Sequence, residues 1–171
     1  TPRPTEVDVN ELVASCISFI SSSAAHRGIQ LQTHLSPQLP PLSLDRQQIK
    51  QVLWNLLLNA LDAMPNGNGI IRIHTRLLSH AGQLPWVQLQ VEDEGCGIAV
   101  DHLEHIFDPF FSTKHSNSAS DGAGLGLTTA HQIVREHGGT LTVESRVGAG
   151  STFSVNLPVP DTSPTASAAR E

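Results

Sequence analysis

Apolar residues recur at helical spacing in three stretches of the chain and at every second position in several others, which separates helices from strands before any motif is considered. Residues 6–9 read as a short strand. A helix follows with Asn10 as its N-cap and runs to about Arg27. Ile29, Leu31 and Thr33 then alternate with polar neighbours as a strand. The proline-rich run SPQLPPLSL leads into a second helix, capped by Ser43 or Asp45 and continuing to about Met64. PNGNG ends it, and strands at 70–78 and 87–92 flank the turn-like SHAGQLP as a hairpin. Pattern is poor over 93–124, apart from a helical turn at 101–105. A third helix at 125–137, stopped by Gly138 and Gly139, precedes strands at 140–145 and 151–157.

With 171 residues the chain is long enough for one domain with a sizeable core. Residues 1–5 read as a linker, 6–158 as the domain and 159–171 as a disordered tail. A net charge of −6 and no basic patch argue against a phosphate backbone as partner, so nucleic acid is not expected. No run of about eighteen apolar residues is present, and the domain is expected to be cytoplasmic. Cys16 and Cys96 do not suggest a disulfide framework. His102 and His105 form only a lone pair one helical turn apart, a poor start for a zinc site.

Five segments in order carry the chemistry: NLLLNALDAM at 55–64, DEGCGI at 93–98, IFDPFFSTK at 106–114, GAGLGL at 122–127 and GAGSTF at 148–153. On the second helix, Gln48, Gln51, Asn55, Asn59 and Asp62 form a narrow polar stripe that would ordinarily be a solvent face. An Asn amide oxygen can also ligate Mg²⁺, and Asn59 is the candidate. Asp93, at a strand end before Gly95 and Gly97, can accept a hydrogen bond from the exocyclic amine of adenine; alone, an Asp-Gly turn explains it equally well. GAGLGL matches neither the dinucleotide-fold fingerprint nor the P-loop. It still opens a helix, so Gly122, Gly124, Leu125 and Gly126 can present backbone N–H groups to phosphates, or serve as the hinge of a mobile lid over 115–122. Phe107, Phe110 and Phe111 are core anchors or a lid clamp, and Lys114 is the nearest cation for phosphate.

The ordered segments resemble the N, G1, F, G2 and G3 boxes of the catalytic ATP-binding domain of bacterial sensor histidine kinases. The resemblance covers about residues 6–158, and NALDAM and DPFFSTK look most like the nitrogen-regulation branch. It implies the Bergerat fold of the GHKL proteins, an α/β sandwich in which a mixed sheet is backed by three main helices. It implies ATP and Mg²⁺ as cofactors, with Asn59 on the metal. Asp93 then reads adenine, Gly95, Gly97 and Ile98 shape its pocket, and Thr152 reaches the base through water. Gly122, Gly124, Leu125 and Gly126 wrap the phosphates, with Asn55 and Lys114 at the transferring group.

Departures refine the reading. Hydrolytic relatives carry a water-activating Glu four residues before the magnesium Asn; here that position is Asn55, an amide with no basic lone pair, so hydrolysis is expected to be slow. Transfer to a neutral imidazole needs less of a base. Asp62 stands where many histidine kinases have Lys or Arg. No histidine is followed by an acid in the setting of a phosphoacceptor helix, so acceptor and dimer interface are expected on an upstream hairpin. That hairpin would also meet the response regulator, the isolated domain being a monomer and the whole protein a homodimer open to a membrane anchor. The rivals are a nucleotide-binding regulatory module without transferase activity, and a GHKL ATPase or anti-sigma serine kinase.

Overall fold

The computed structural model describes residues 1–109 and 125–161, without the side chain of Leu125. Asp8 opens the first helix by accepting the N–H groups of Asn10 and Glu11, satisfying donors that a helix start otherwise leaves bare. This corrects the expectation of Asn10 as cap. The Asn10 side chain is engaged elsewhere: its amide donates to the Ser36 carbonyl at 2.6 Å and its oxygen accepts from Thr75 Oγ1 at 2.8 Å. Thr75 is buried, and this network satisfies its hydroxyl.

Helix α1 (Val9–His26) lays Leu12, Val13, Cys16, Ile20 and Ala24 into the core. Strand β1 (Thr5–Val7) precedes it and pairs antiparallel with β3 (Leu42–Leu44), a strand that the prolines of 37–41 hide from pattern analysis. Helix α2 (Arg46–Asp62) is capped by Asp45, which accepts from Gln47 N and Gln48 N, and it buries Ile49, Val52, Leu53, Leu56, Leu57, Ala60 and Leu61. Of the two expected caps, Asp45 is the one used. The remaining predicted elements are found with ends moved by one to three residues, as helix and strand ends commonly are.

The main sheet has the order β2-β4-β5-β7-β6, formed by β2 (Ile29–Leu35), β4 (Gly69–Leu78), β5 (Trp86–Asp93), β6 (Thr140–Arg146) and β7 (Gly150–Pro158). β2 and β4 run parallel and the other neighbours antiparallel, so the sheet is mixed. The expected hairpin is the β4–β5 pair. Period-two alternation turns Ile71, Ile73, Val87, Leu89, Val91, Phe153, Val155 and Leu157 inward, where they are buried with Ala130, Ile133 and Val134 of α4 (Leu125–Glu136). The opposite face is polar and cross-linked, with Gln88 bonded to Asn156, Gln90 to Ser154 and Arg72 to Glu92. Three helices thus back one face of a mixed five-stranded sheet, the α/β sandwich expected. Between β5 and α4 the expected helical turn is α3 (Val100–Leu103).

Candidate functional site

Two elements converge at the C-terminal end of β5. The inward register that buries Val91 also buries Asp93, which is 3% exposed. Burial pushes its carboxyl group up from the usual carboxylate range, and the backbone N–H groups of Gly95 and Ser151 partly offset this. Gly95 N donates to Asp93 Oδ1 at 2.8 Å. A Cβ on Gly95 would lie 2.6 Å from the Ala63 carbonyl oxygen and 2.7 Å from Asp93 Oδ1, so only glycine lets the chain pass between them. Cys96 N donates to that same Ala63 carbonyl at 3.0 Å. The loop after β5 is thereby held against the end of α2, one turn beyond Asn59.

Gly97 has φ +75° and faces the Arg146 carbonyl, where a Cβ would collide. Its neighbour Ile98 is half-buried against the core and donates its N–H to Ser145 Oγ at 2.7 Å. Gly148 N donates to Cys96 O at 2.9 Å, closing the contact between this loop and the β6–β7 turn. Cys16 is buried, Cys96 is exposed, and both are free thiols.

On α2 the polar stripe has two different surroundings. Asn55 Nδ2 donates to the Gly126 carbonyl at 3.1 Å, against the first turn of α4. Asn59 is half-buried one turn further on, and its amide has no hydrogen-bond partner among the described residues. An amide oxygen that no described group engages suits a hard cation that keeps most of its waters, so the chemistry of this residue fits Mg²⁺. The Asp62 carboxylate, three residues past Asn59, lies 4.0 Å from Arg27 Nη1 on the surface.

Thr152 stands on the other side of the sheet from Asp93. Asp93 pairs with Ser151 in the β5–β7 register, and Ser151 is the buried hydroxyl beside it. Ser145 and Ser151 were not singled out from the sequence. The signal was available: counting back in twos from Phe153 puts Ser151 on the inner face and Thr152 on the outer one. Phe107 is anchored, its ring stacked on His131 at 4.7 Å and its carbonyl accepting from Thr128 Oγ1 at 2.9 Å. Phe110, Phe111, Lys114, Gly122 and Gly124 and the expected lid at 115–122 lie outside the described residues.

A buried carboxylate at a strand end, two glycines forced by close backbone approach and an amide on the adjoining helix come together on an α/β sandwich. The sequence pattern of the family described as "Histidine kinase-, DNA gyrase B-, and HSP90-like ATPase" matches residues 44–161, and the chain belongs to that ATP-binding family. It is 42% identical over 153 residues to the "Sensor histidine kinase ZraS" of Escherichia coli (strain K12), across 90% of this chain and 30% of that protein. The chain therefore spans about a third of the length of such a curated relative. The catalytic domain of histidine kinase ThkA is 31% identical with a TM-score of 0.76, covering 92% of this chain and 99% of that one. ThkA has also been solved with the response regulator TrrA, at 28% identity and a TM-score of 0.75, over 93% of this chain and 42% of that one. Full-length ShkA in complex with AMPPNP is 26% identical with a TM-score of 0.79, over 96% of this chain and 33% of that one. The fold is that of histidine kinase catalytic domains. Among the described residues, no helix is long and apolar enough to cross a membrane.

Proposed function

We propose that this chain, over residues 6–158, is the catalytic part of a bacterial two-component sensor histidine kinase and passes the γ-phosphoryl group of ATP to a histidine on a separate helical hairpin. The observation that carries the reading is the joining of buried Asp93 to the Asn59 end of α2 through Gly95, Cys96 and Ala63. One end of that unit offers an acceptor for a base, and the other offers an oxygen for the cation that accompanies phosphate.

Asp93, ionised, accepts the exocyclic amine of adenine, and its burial strengthens that bond relative to one in water. Gly95 and Gly97 keep side chains out of the plane of the base, while Ile98 supplies an apolar edge. Asn59 would hold Mg²⁺, which when bound neutralises phosphate charge. Gly122, Gly124, Leu125 and Gly126 would close on the phosphates with their backbone N–H groups, and Lys114 would add a cation. In the transfer, the imidazole nitrogen forms the N–P bond as the P–O bond to the β-phosphate breaks, and ADP leaves.

Asn55 has no role as a base. Its amide is neutral and its N–H is already directed at the Gly126 carbonyl, so water in the pocket is not activated. That favours phosphotransfer over hydrolysis and separates this reading from the ATPase rival. The acceptor hairpin, a second copy of the chain bound through it, and a response regulator are the proposed partners. The complex of ThkA with TrrA supports the regulator.

Titration with ATP and GTP tests the nucleotide reading. ATP is expected to bind the more tightly by a wide margin, because the O6 acceptor of guanine would face the Asp93 acceptor. Equal affinities would remove the adenine-reading role of Asp93.

A further inference from the structure

Ser145, near the end of β6, ties the loop after β5 to the start of β7 beside the base pocket. Its Oγ accepts the Ile98 N–H at 2.7 Å, donates to the Gly150 carbonyl at 3.0 Å and lies 2.7 Å from Ser151 Oγ. A serine hydroxyl has one proton and two lone pairs. With the proton on Gly150 O and one lone pair taken by Ile98, the remaining lone pair can only receive the Ser151 proton. The direction of the Ser151 hydroxyl is then fixed.

Ser151 is the register partner of Asp93, and the two are 6% and 3% exposed on the same inner face. A Ser151 hydroxyl whose proton is committed to Ser145 presents only lone pairs to whatever enters. We infer that Ser145 is a positioning residue that sets this proton order, making Ser151 and Asp93 a pair of hydrogen-bond acceptors that selects a purine with a 6-amino group over one with a 6-oxo group. The same hydroxyl fixes Ile98 and the start of β7, where Gly150, at φ +98°, has no room for a Cβ against the Asp93 carbonyl. The base-facing edge of the pocket is thus ordered from one atom. This rests on the reading of Asp93 as the adenine acceptor and extends it to the residue that supports it.

ATP and ITP carry the same triphosphate and differ in the 6-substituent, so the ratio of their affinities isolates the base edge. With Mg²⁺ present, Ser145→Ala is expected to weaken ATP about tenfold, the size of one lost hydrogen bond, and ITP much less, so the ratio narrows. Ser145→Thr, which keeps the hydroxyl, should restore most of the ratio. A role confined to stability would lower the melting temperature and leave the ratio unchanged. An unchanged ratio in folded Ser145→Ala, alongside a collapsed ratio in Asp93→Asn, would overturn the inference while sparing the role of Asp93. A ratio unchanged in Asp93→Asn would instead remove the adenine reading, and this inference with it. Should the alanine variant fail to fold, Ser145→Cys, close in size but much weaker in hydrogen bonding, is read by the same ratio.

Discussion

Asn55 donates its side-chain N–H to the Gly126 carbonyl at 3.1 Å, tying the helix that carries Asn59 to the first turn of the helix that follows the glycine run. The two helices pack along their lengths, and this bond fixes their register where the phosphates are proposed to sit. A residue at the position of a water-activating acid in hydrolytic relatives therefore has a structural bond of its own.

Asn55→Asp is expected to destabilise the domain by about 1–3 kcal/mol, because the donor becomes a second acceptor facing the Gly126 carbonyl. ATP affinity should fall with it. Thermal melting and nucleotide titration check both, and a variant as stable as the parent would mean that the bond is not formed in solution. For the same reason, Asn55→Glu should loosen the start of α4 as well as supply a base.

Asp93 links stability and binding with opposite signs. Its proton is held more tightly in the folded state, so its contribution to stability is greatest below the unfolded pKa and is lost as pH rises through the raised folded value. At neutral pH Asp93→Asn should therefore melt at a higher temperature than the unliganded parent, and that advantage should vanish in acid. The same change should weaken ATP roughly 10- to 100-fold, the range for a hydrogen bond to a charged group. In the parent, the preference for ATP over ITP should begin to fall at a pH above the ordinary Asp value, since both nucleotides carry the same titrating phosphates. Binding isotherms across pH decide it.

Asn59→Ala should leave ATP binding in EDTA nearly unchanged and abolish most of the gain on adding Mg²⁺. Equal magnesium enhancement in variant and parent would move the cation to other ligands.

His137 bridges two helix ends. Its Nδ1–H donates to Ile133 O at 2.8 Å, and its Nε2 accepts the Asp45 N–H at 3.1 Å, linking the end of α4 to the cap of α2. His137→Phe keeps the bulk and removes both bonds. A loss of about 1–2 kcal/mol follows, or roughly 2–8 °C in melting temperature.

Much of this was legible in the chain itself. The 3.6-residue and two-residue periods are set by burial against one core, so α1, α2, α4 and the five strands of the main sheet could be read where apolar residues repeat. β3 could not, because three residues after a proline run carry too little pattern and its partner β1 is far away in sequence. Asn10 has the composition of a cap, but Asp8 lies nearer the helix start and Thr75, 65 residues on, recruits the Asn10 amide. The candidate site divides in the same way. Asp93 and its glycines announce themselves through tight turns, whereas Ser145 is an ordinary strand serine until folding brings Ile98, Gly150 and Ser151 to it. Thr152 lies one position from Ser151, and one position in a strand reverses the face, so a motif alone does not say which of the two is buried beside Asp93.

The account as a whole rests on transfer to a histidine outside this chain. The direct measurement is incubation with γ-labelled ATP and Mg²⁺, with and without the helical hairpin of the same protein supplied separately. The account predicts label on the hairpin that is lost in acid and kept in alkali. It also predicts slow transfer, because the effective concentration given by a covalent linker is absent, and little free phosphate from the chain alone. Acid-stable label on serine, label on the chain's own histidines, or brisk phosphate release without the hairpin would contradict it.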